Sequence, residues 1–332
     1  MHKVFILIPT HNRKELLRKC LRCVRMQSYK NVETVVIDDG TTDGTTEMLS
    51  REYPHVTALK GNGNLWWGGA MRMGVEHILM RSGKGDFVLL MNDDTTFDGH
   101  YVKKIVSVSL DHKRAIVGSP CYDELNKRKL TGAPVFMDWE QGGAIPLEVP
   151  SDLTRKKWTT DINTFNGRGT LVPIEVFHHI GNFSKRLVHY GADYEFFLRA
   201  KRYGIPMVFS FETRVQNSAS PGGTSFKRRT ISLKEWRQLL FSKRSKSNII
   251  TSYHLIRLSC PSRYKMRNYK RVLFRFLDIT ACLFPSLVLT SPFTGKRVEL
   301  SLYDMRYFLH RLFMMLRGLL WCLRRKIKGL PC

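Results

Sequence analysis

The first 95 residues repeat one pattern, a short unbroken apolar run closed by a polar turn. Val4-Phe5-Ile6-Leu7-Ile8 meets Pro9-Thr10-His11-Asn12-Arg13. Val35-Val36-Ile37 meets Asp38-Asp39-Gly40, and Phe87-Val88-Leu89-Leu90-Met91 meets Asn92-Asp93-Asp94-Thr95. Unbroken runs of this length read as strands buried on both faces of a parallel sheet. Between them the period lengthens. Residues 14–27 carry apolar side chains at 16, 17, 20, 21, 23 and 24, a helical stripe. A strand over Val32–Ile37, a short helix from about Asp43 with Asp43 as its cap, a strand over Val56–Leu59 and a helix from about Trp67 to Arg81 complete the alternation. This order predicts a right-handed, doubly wound, mostly parallel α/β sheet flanked by helices. In such sheets ligands bind outside the carboxyl ends of the strands, where these carboxylates collect. Carboxylates in that position suit a hard metal ion, a ribose and a phosphate-bearing ligand.

Farther on the pattern is mixed. Ala115–Ser119, Gly169–Val172 and Met207–Phe211 read as strands, and 192–203 reads as a helix stopped by Gly204-Ile205-Pro206. Residues 123–160 are polar and turn-rich, either a substrate-facing loop region or a solvated excursion. From about Ser225 basic and apolar residues interleave without clear strands, and Tyr303–Lys328 reads as helical. A membrane span needs about 20 apolar residues. Leu312–Leu323 is 12 residues long and contains Arg317, while Val272–Leu289 contains Arg275, Asp278 and Pro285. Both therefore fit the membrane interface better than its interior.

Composition sharpens this division. The 332 residues allow one large domain or two smaller ones, and 43% hydrophobic content excludes a disordered chain. The net charge of +26 is uneven: residues 225–332 hold 24 Lys and Arg against 4 Asp and Glu, and residues 1–224 hold 30 against 24. A balanced front and a basic appendage point to a polyanionic surface, membrane or nucleic acid. Seven cysteines, odd in number and irregular in spacing, agree with a reducing compartment. Cys20 and Cys23 fall within the first helical stripe and read as core residues. The run from Val4 to Pro9 is too short for a signal peptide, so a cytoplasmic location is expected.

Taken in order, Pro9-Thr10-His11-Asn12-Arg13, Asp38-Asp39-Gly40-Thr41, Asn92-Asp93-Asp94 and Gly191-Ala192-Asp193-Tyr194-Glu195 resemble the family 2 glycosyltransferases of GT-A type fold, over about residues 3–225. Gly61-Asn62-Gly63-Asn64-Leu65-Trp66-Trp67-Gly68-Gly69 resembles a bacterial, rhamnosyltransferase-like branch. The resemblance implies an inverting glycosyltransferase with a nucleotide-binding half over about 1–95, an acceptor half over about 96–224 and a basic membrane-associating helical region over 225–332.

It also implies roles for single residues. Asp39 matches the carboxylate that accepts from the nucleotide base. Pro9, Thr10, His11 and Arg13 lie on the neighbouring strand end, with His11 either a ring against the base or a loop imidazole, and Arg13 either a phosphate contact or a helix start. Asp94 matches the ligand of a divalent cation, Mg²⁺ or Mn²⁺, and Asp93 the ribose contact. Asp193 matches the general base, although Ala192 stands where the family usually has Glu. Glu195 either substitutes for that carboxylate or pairs with Arg199. Asn64, Trp66 and Trp67 border the donor sugar, the two indoles being either an aromatic wall or core packing. Gly167 lets backbone approach that sugar, and Arg168 reaches phosphate or acceptor. Pro221-Gly222-Gly223 reads as a hinge that brings Arg228 and Arg229 to the diphosphate. Gln216 stands near where relatives often carry a His, which leaves a third metal ligand open.

The expected partners are a nucleotide-diphosphate sugar, a glycan or lipid-linked acceptor in cell-surface polysaccharide or lipopolysaccharide synthesis, and the inner face of the plasma membrane. The alternatives are a nucleic-acid-binding protein using the basic tail, a nucleotidyltransferase on a similar sheet, and a non-catalytic nucleotide-sugar-binding relative. No nucleic-acid module signature is present, and the Leu312–Leu316 run suits lipid better.

Overall fold

Side chains of the first apolar run alternate between two cores. Val4, Ile6 and Ile8 enter one buried cluster, and Phe5 and Leu7 enter another. A strand covered on both faces has no polar side to show, which is why the run is unbroken. The computed structural model describes residues 2–148, 157–218 and 230–283, and the backbone of 287–290 and 297–300. In chain order the elements are β1 (Val4–Thr10), α1 (Lys14–Arg25), β2 (Val32–Asp38), α2 (Thr45–Glu52), β3 (Thr57–Lys60), α3 (Trp66–Leu79), β4 (Phe87–Leu90), β5 (Thr95–Phe97), α4 (Tyr101–Asp111), β6 (Ile116–Gly118), β7 (Cys121–Asp123), β8 (Leu130–Gly132) and β9 (Val135–Asp138). They continue with β10 (Gly143–Pro146), β11 (Trp158–Thr159), β12 (Thr170–Pro173), α5 (Ile174–Ile180), α6 (Ala192–Arg202), β13 (Met207–Ser210), β14 (Val215–Asn217), α7 (Leu233–Phe241), α8 (Ile249–Ser259), α9 (Ser262–Ala281), β15 (Leu287–Thr290) and β16 (Arg297–Leu300).

Among the described residues the main sheet has eight strands in the order β11-β13-β6-β12-β4-β1-β2-β3. β1 pairs in parallel with β2 on one side and with β4 on the other, so the winding reverses between β1 and β4. α1 and α4 cover one face through Leu17, Cys20, Tyr101, Val102 and Ile105, while α3, α5 and α6 cover the other through Met71, Val75, Phe177, Phe196 and Phe197. The N-cap of α2 is Gly44, one residue after the expected Asp43, which instead ties the starts of two helices. Its carboxylate accepts from Thr45 N (3.1 Å) and Thr45 Oγ1 (2.5 Å), and also from Lys14 N at the start of α1 (2.9 Å).

The sheet is mostly parallel, as expected, with the exceptions that β12 runs antiparallel to both β4 and β6 and β11 antiparallel to β13. Leu171 and Val172 are buried on both faces, and that pattern reports burial, not direction. The chain reaches β12 from β6 through the excursion β7 to β11 and not through a crossover helix. The polar stretch 123–160 contains the short strands β8 to β11, held by pairings such as Met137 with Ala144 that leave little periodic signal in the sequence. The basic region also has strands, since β15 and β16 pair antiparallel.

The described residues fall into two compact units. The first comprises the chain through residue 218 together with 250–269. Within it Asn268 Nδ2 donates to Trp139 O (2.7 Å) and Arg202 Nη2 to Leu258 O (2.9 Å). The second takes residues 230–249 and the chain from 270. Its small core joins Ile231, Leu239, Leu240 and Ile279, and Trp236 Nε1 donates to Thr280 Oγ1 (3.0 Å). Ser232 and Glu235 close a capping box at the start of α7. Among the described residues no helix is long and apolar enough to cross a membrane. Tyr303–Lys328, Leu312–Leu323, the hinge at Pro221 and Arg228-Arg229 lie outside the described residues.

Candidate active site

The reversal between β1 and β4 places the ends of both strands side by side. Thr10, the last residue of β1, donates its hydroxyl to Asp93 Oδ2 (2.9 Å). Arg13 reaches back from the start of α1, with Nη1 2.8 Å from Asp93 Oδ1 and 3.4 Å from Asp94 Oδ2. Its first partners are thus the acidic pair. Both carboxylates are buried. Burial lifts Asp93 to about 6, against the pull of Arg13 and with the push of Asp94.

The turn before β12 brings a third segment to the same place. Asn166 Oδ1 accepts from Arg168 N (3.1 Å), and Gly169, at φ +67°, passes under Tyr101 to enter the sheet. Arg168 Nε then lies 3.9 Å from Asp94 Oδ1. One residue earlier, Gly167 N–H donates to Asp193 Oδ2 (3.2 Å). Gly167 has no room for a Cβ, which would overlap the six-membered ring of Trp67. That indole packs edge-on to Phe183 at 5.6 Å between centroids, and its Nε1 donates to Asn92 Oδ1 (2.9 Å). Trp67 is therefore a packed support beneath Gly167.

Asp193 sits in the first turn of α6, behind Gly191 at φ +78°. Its carboxyl is enclosed although the residue is partly exposed. Burial raises it to about 6, while the N–H groups of Tyr194 and Gly167 and the charge of Arg168 hold it down. Glu195 is not a free alternative base. It is buried and bonded to Arg199 at 2.9 and 3.0 Å, and Arg199 in turn binds the carbonyls of Ile180 and Asn182.

Asp39 lies on the next strand end and is heavily engaged. Its Oδ1 accepts from Gly63 N (2.8 Å), and its Oδ2 from Leu65 N (2.9 Å) and Trp66 N (3.1 Å). The carboxylate thereby caps α3 and pins the loop before it. A carboxylate has about four acceptor sites, so one remains for a further donor. Gly61 is required here because a Cβ would come 2.6 Å from Asp39 Oδ1. His11 is exposed, and its Nδ1 donates to Asp39 O (2.6 Å). Pro9 stays within the sheet in register with Ile37. Asn64 is exposed, with its N–H on Asn62 Oδ1 (2.9 Å). Trp66 takes φ +56° and stacks obliquely on His189 at 5.3 Å.

Thr10, Arg13, Asp93, Asp94, Gly167, Arg168 and Asp193 thus form one connected group. Asp39, His11, Asn64 and Trp66 form a second group around the loop 61–66, joined to the first by Asp39 N donating to Thr10 O (3.0 Å). Asn92 stands in the Asn92-Asp93-Asp94 motif, whereas Cys121 and Asn217, which back Arg168, are not legible as functional. Nothing in their spacing marks side chains that hold Arg168 from behind.

The acidic pair fits a hard divalent cation. Asp94 Oδ1 is buried and without a hydrogen-bond partner, and carboxylate oxygen is the donor such ions take. Among the described residues no group of three His, Cys, Asp or Glu gathers at one place, Gln216 lying within β14. The protein ligand would be Asp94, with phosphate and water oxygens completing the shell as is usual for Mg²⁺.

Comparison with known proteins agrees with this architecture. A glycosyltransferase, GlyA, of Streptococcus pneumoniae is 30% identical over 115 residues, 33% of this chain and 16% of that protein. The uncharacterized glycosyltransferase RT0329 of Rickettsia typhi is 26% identical over 208 residues, 60% of this chain and 58% of that protein. The crystal structure of TarS of S. aureus superposes with a TM-score of 0.53 at 12% identity, over 90% of this chain and 60% of that one, a likeness of fold alone. The chain spans from about a sixth to under three fifths of the length of these curated relatives. The doubly wound sheet is of GT-A type. With the family model described as "Glycosyl transferase family 2" matching residues 5–181, over half of its length, the chain belongs to glycosyl transferase family 2.

Proposed function

We propose that this chain transfers a sugar from a nucleotide-diphosphate donor to a hydroxyl of a glycan or lipid-linked acceptor, with inversion at the transferred carbon. One observation carries the reading: the two-residue step Gly167-Arg168 ties Asp193 to Asp94. A candidate base and a candidate cation ligand thereby border one reaction centre from two sides. A sugar hydroxyl attacks only as its proton is removed. Asp193, near 6, is ionised at neutral pH yet basic enough to take that proton. Gly167 N–H and the start of α6 hold its carboxylate in place, with Oδ2 as the proton acceptor. Asp39 and His11 border the nucleotide base, and Thr10 and Asp93 the ribose. The stretch Gly61–Gly69 supports a place in the bacterial, rhamnosyltransferase-like branch. A bound divalent cation would neutralise charge developing on the leaving diphosphate.

The basic balance from residue 225 onward, with exposed Met266, Leu273 and Leu277 on α9, supports peripheral attachment to an anionic membrane at its cytoplasmic face, where polysaccharide or lipopolysaccharide precursors would be met.

The test is a panel of UDP-, GDP- and TDP-sugars scored for thermal stabilisation with Mn²⁺. One donor class is expected to raise the melting temperature, and Asp193→Asn is expected to keep that shift while losing transfer. A chain stabilised by no nucleotide sugar refutes the donor, and transfer by Asp193→Asn at the parent rate refutes the base.

A further inference from the structure

Two buried polar atoms face each other inside the site, and neither has a hydrogen-bond partner. They are Asp94 Oδ1 and Arg168 Nε, 3.9 Å apart. Buried polar atoms are nearly always bonded, so two of them aimed at one gap need an explanation. The rest of Arg168 is held firmly. Its Nη1 lies 3.5 Å from Cys121 Sγ. With the Asn217 amide oriented to donate to Tyr122 O and Thr131 Oγ1, Asn217 Oδ1 also accepts from that Nη1 at 3.3 Å. Cys121 and Asn217 belong to the paired strands β7 and β14, and both are buried. The guanidinium is thus held from behind by buried side chains of two paired strands and presents its Nε edge to Asp94. Arg13 already occupies the other oxygen of Asp94, which leaves Oδ1 over.

Charge narrows what would satisfy both atoms. A bare anion would be repelled by Asp94, and a bare cation by Arg168. A ligand carrying both signs, an anion with a cation on it, meets both at once. Position narrows it further. Arg168 Nε faces Asp94, the candidate ligand of a cation on the departing diphosphate, so it stands on the phosphate side of the centre. The phosphate there is the distal one of a diphosphate.

We propose that Arg168 is a donor-binding residue whose Nε–H donates to the sugar-bearing phosphate of a nucleoside diphosphate, next to the cation that Asp94 Oδ1 faces. This rests on the donor reading above and adds a residue and a phosphate to it. A nucleoside monophosphate lacks that phosphate and so would not sense Arg168. Lysine keeps the charge but loses the planar fork that Cys121 and Asn217 orient.

The experiment is calorimetric titration of the full chain with UDP and UMP, each with and without Mn²⁺, repeated with GDP and GMP and with TDP and TMP. Arg168→Ala is expected to weaken the diphosphate in Mn²⁺ by about tenfold to a hundredfold and to leave the monophosphate unchanged. Arg168→Lys, the variant that keeps the charge and guards against misfolding, is expected to recover only part of the loss. Diphosphate binding unaltered in both variants overturns the inference and leaves the donor reading standing. Equal losses on mono- and diphosphate, as a merely structural residue would give, overturn it too. A parent chain that binds none of the three diphosphates overturns the donor reading, and this inference with it.

Discussion

Asp193 sits at about 6 because burial penalises its charged form more than two backbone N–H groups and Arg168 favour it. For catalysis the sign is simple. The base must be ionised, so kcat/KM for transfer is expected to rise with pH through about 6 and level above it. Asp193→Asn should lower the rate about 10²- to 10⁴-fold and remove that limb of the profile. For stability the sign is opposite. A carboxyl raised above its unfolded 3.8 contributes stability that is complete below 3.8 and lost as pH climbs through about 6. Melting of parent and Asp193→Asn should therefore diverge between pH 4 and pH 7.5, shifting in the variant's favour by about 2–3 kcal/mol. A base held by a firm site is expected to cost the fold something at neutral pH.

The junction of β3 and α3 is one element-scale device. The N–H groups of Leu65 and Trp66 open α3 and that of Gly63 lies in the loop before it, and Asp39 accepts all three. Asp39→Ala should lower unfolding stability by about 1–3 kcal/mol in urea titrations, beyond any effect on nucleotide binding. Packing of α3 on β1 is the other. Gly74 faces Leu7 so closely that a Cβ would overlap its methyl groups. In an open helix Gly→Ala stabilises by roughly 0.5–1 kcal/mol. Here Gly74→Ala should destabilise by about 1–3 kcal/mol instead, a reversal that thermal melts of the two proteins would show.

At the scale of the whole molecule, the basic third does not separate cleanly from the front. Residues 250–269 belong to the first unit, and Leu255 and Thr251 stand beside Gly191, two residues from Asp193. A chain ended at residue 224 is expected to melt below one ended at 283 and to lose transfer, because it lacks the hydrogen bonds to Trp139 and Arg202. The surplus of 20 positive charges beyond residue 224 makes a second expectation. The parent should sediment with vesicles of anionic lipid at low salt and detach as salt rises, since screening acts on just this attraction. Sedimentation indifferent to lipid charge would count against membrane attachment.

Much of this was written in local order. The runs 4–8, 35–37 and 87–91 are apolar without interruption because both faces of their strands are covered, and a burial pattern of that kind survives in one dimension. So do the strand-end carboxylates, since a residue just past a strand is placed by the strand. The direction of β12, the pairing of β8 to β11 and the placement of 250–269 beside Gly191 were not legible, because backbone pairing and long-range packing leave little period in the sequence. Roles followed the same division. Asp94 and Asp193 can be picked out by motif, but the chain alone does not say that Glu195 is spent on Arg199, that Asp39 holds a helix start, or that Gly167-Arg168 joins base to acid pair. Glu195 and Arg199 are only four residues apart, but the other pairs meet across 26 to 74 residues of chain, and only the folded backbone brings them together.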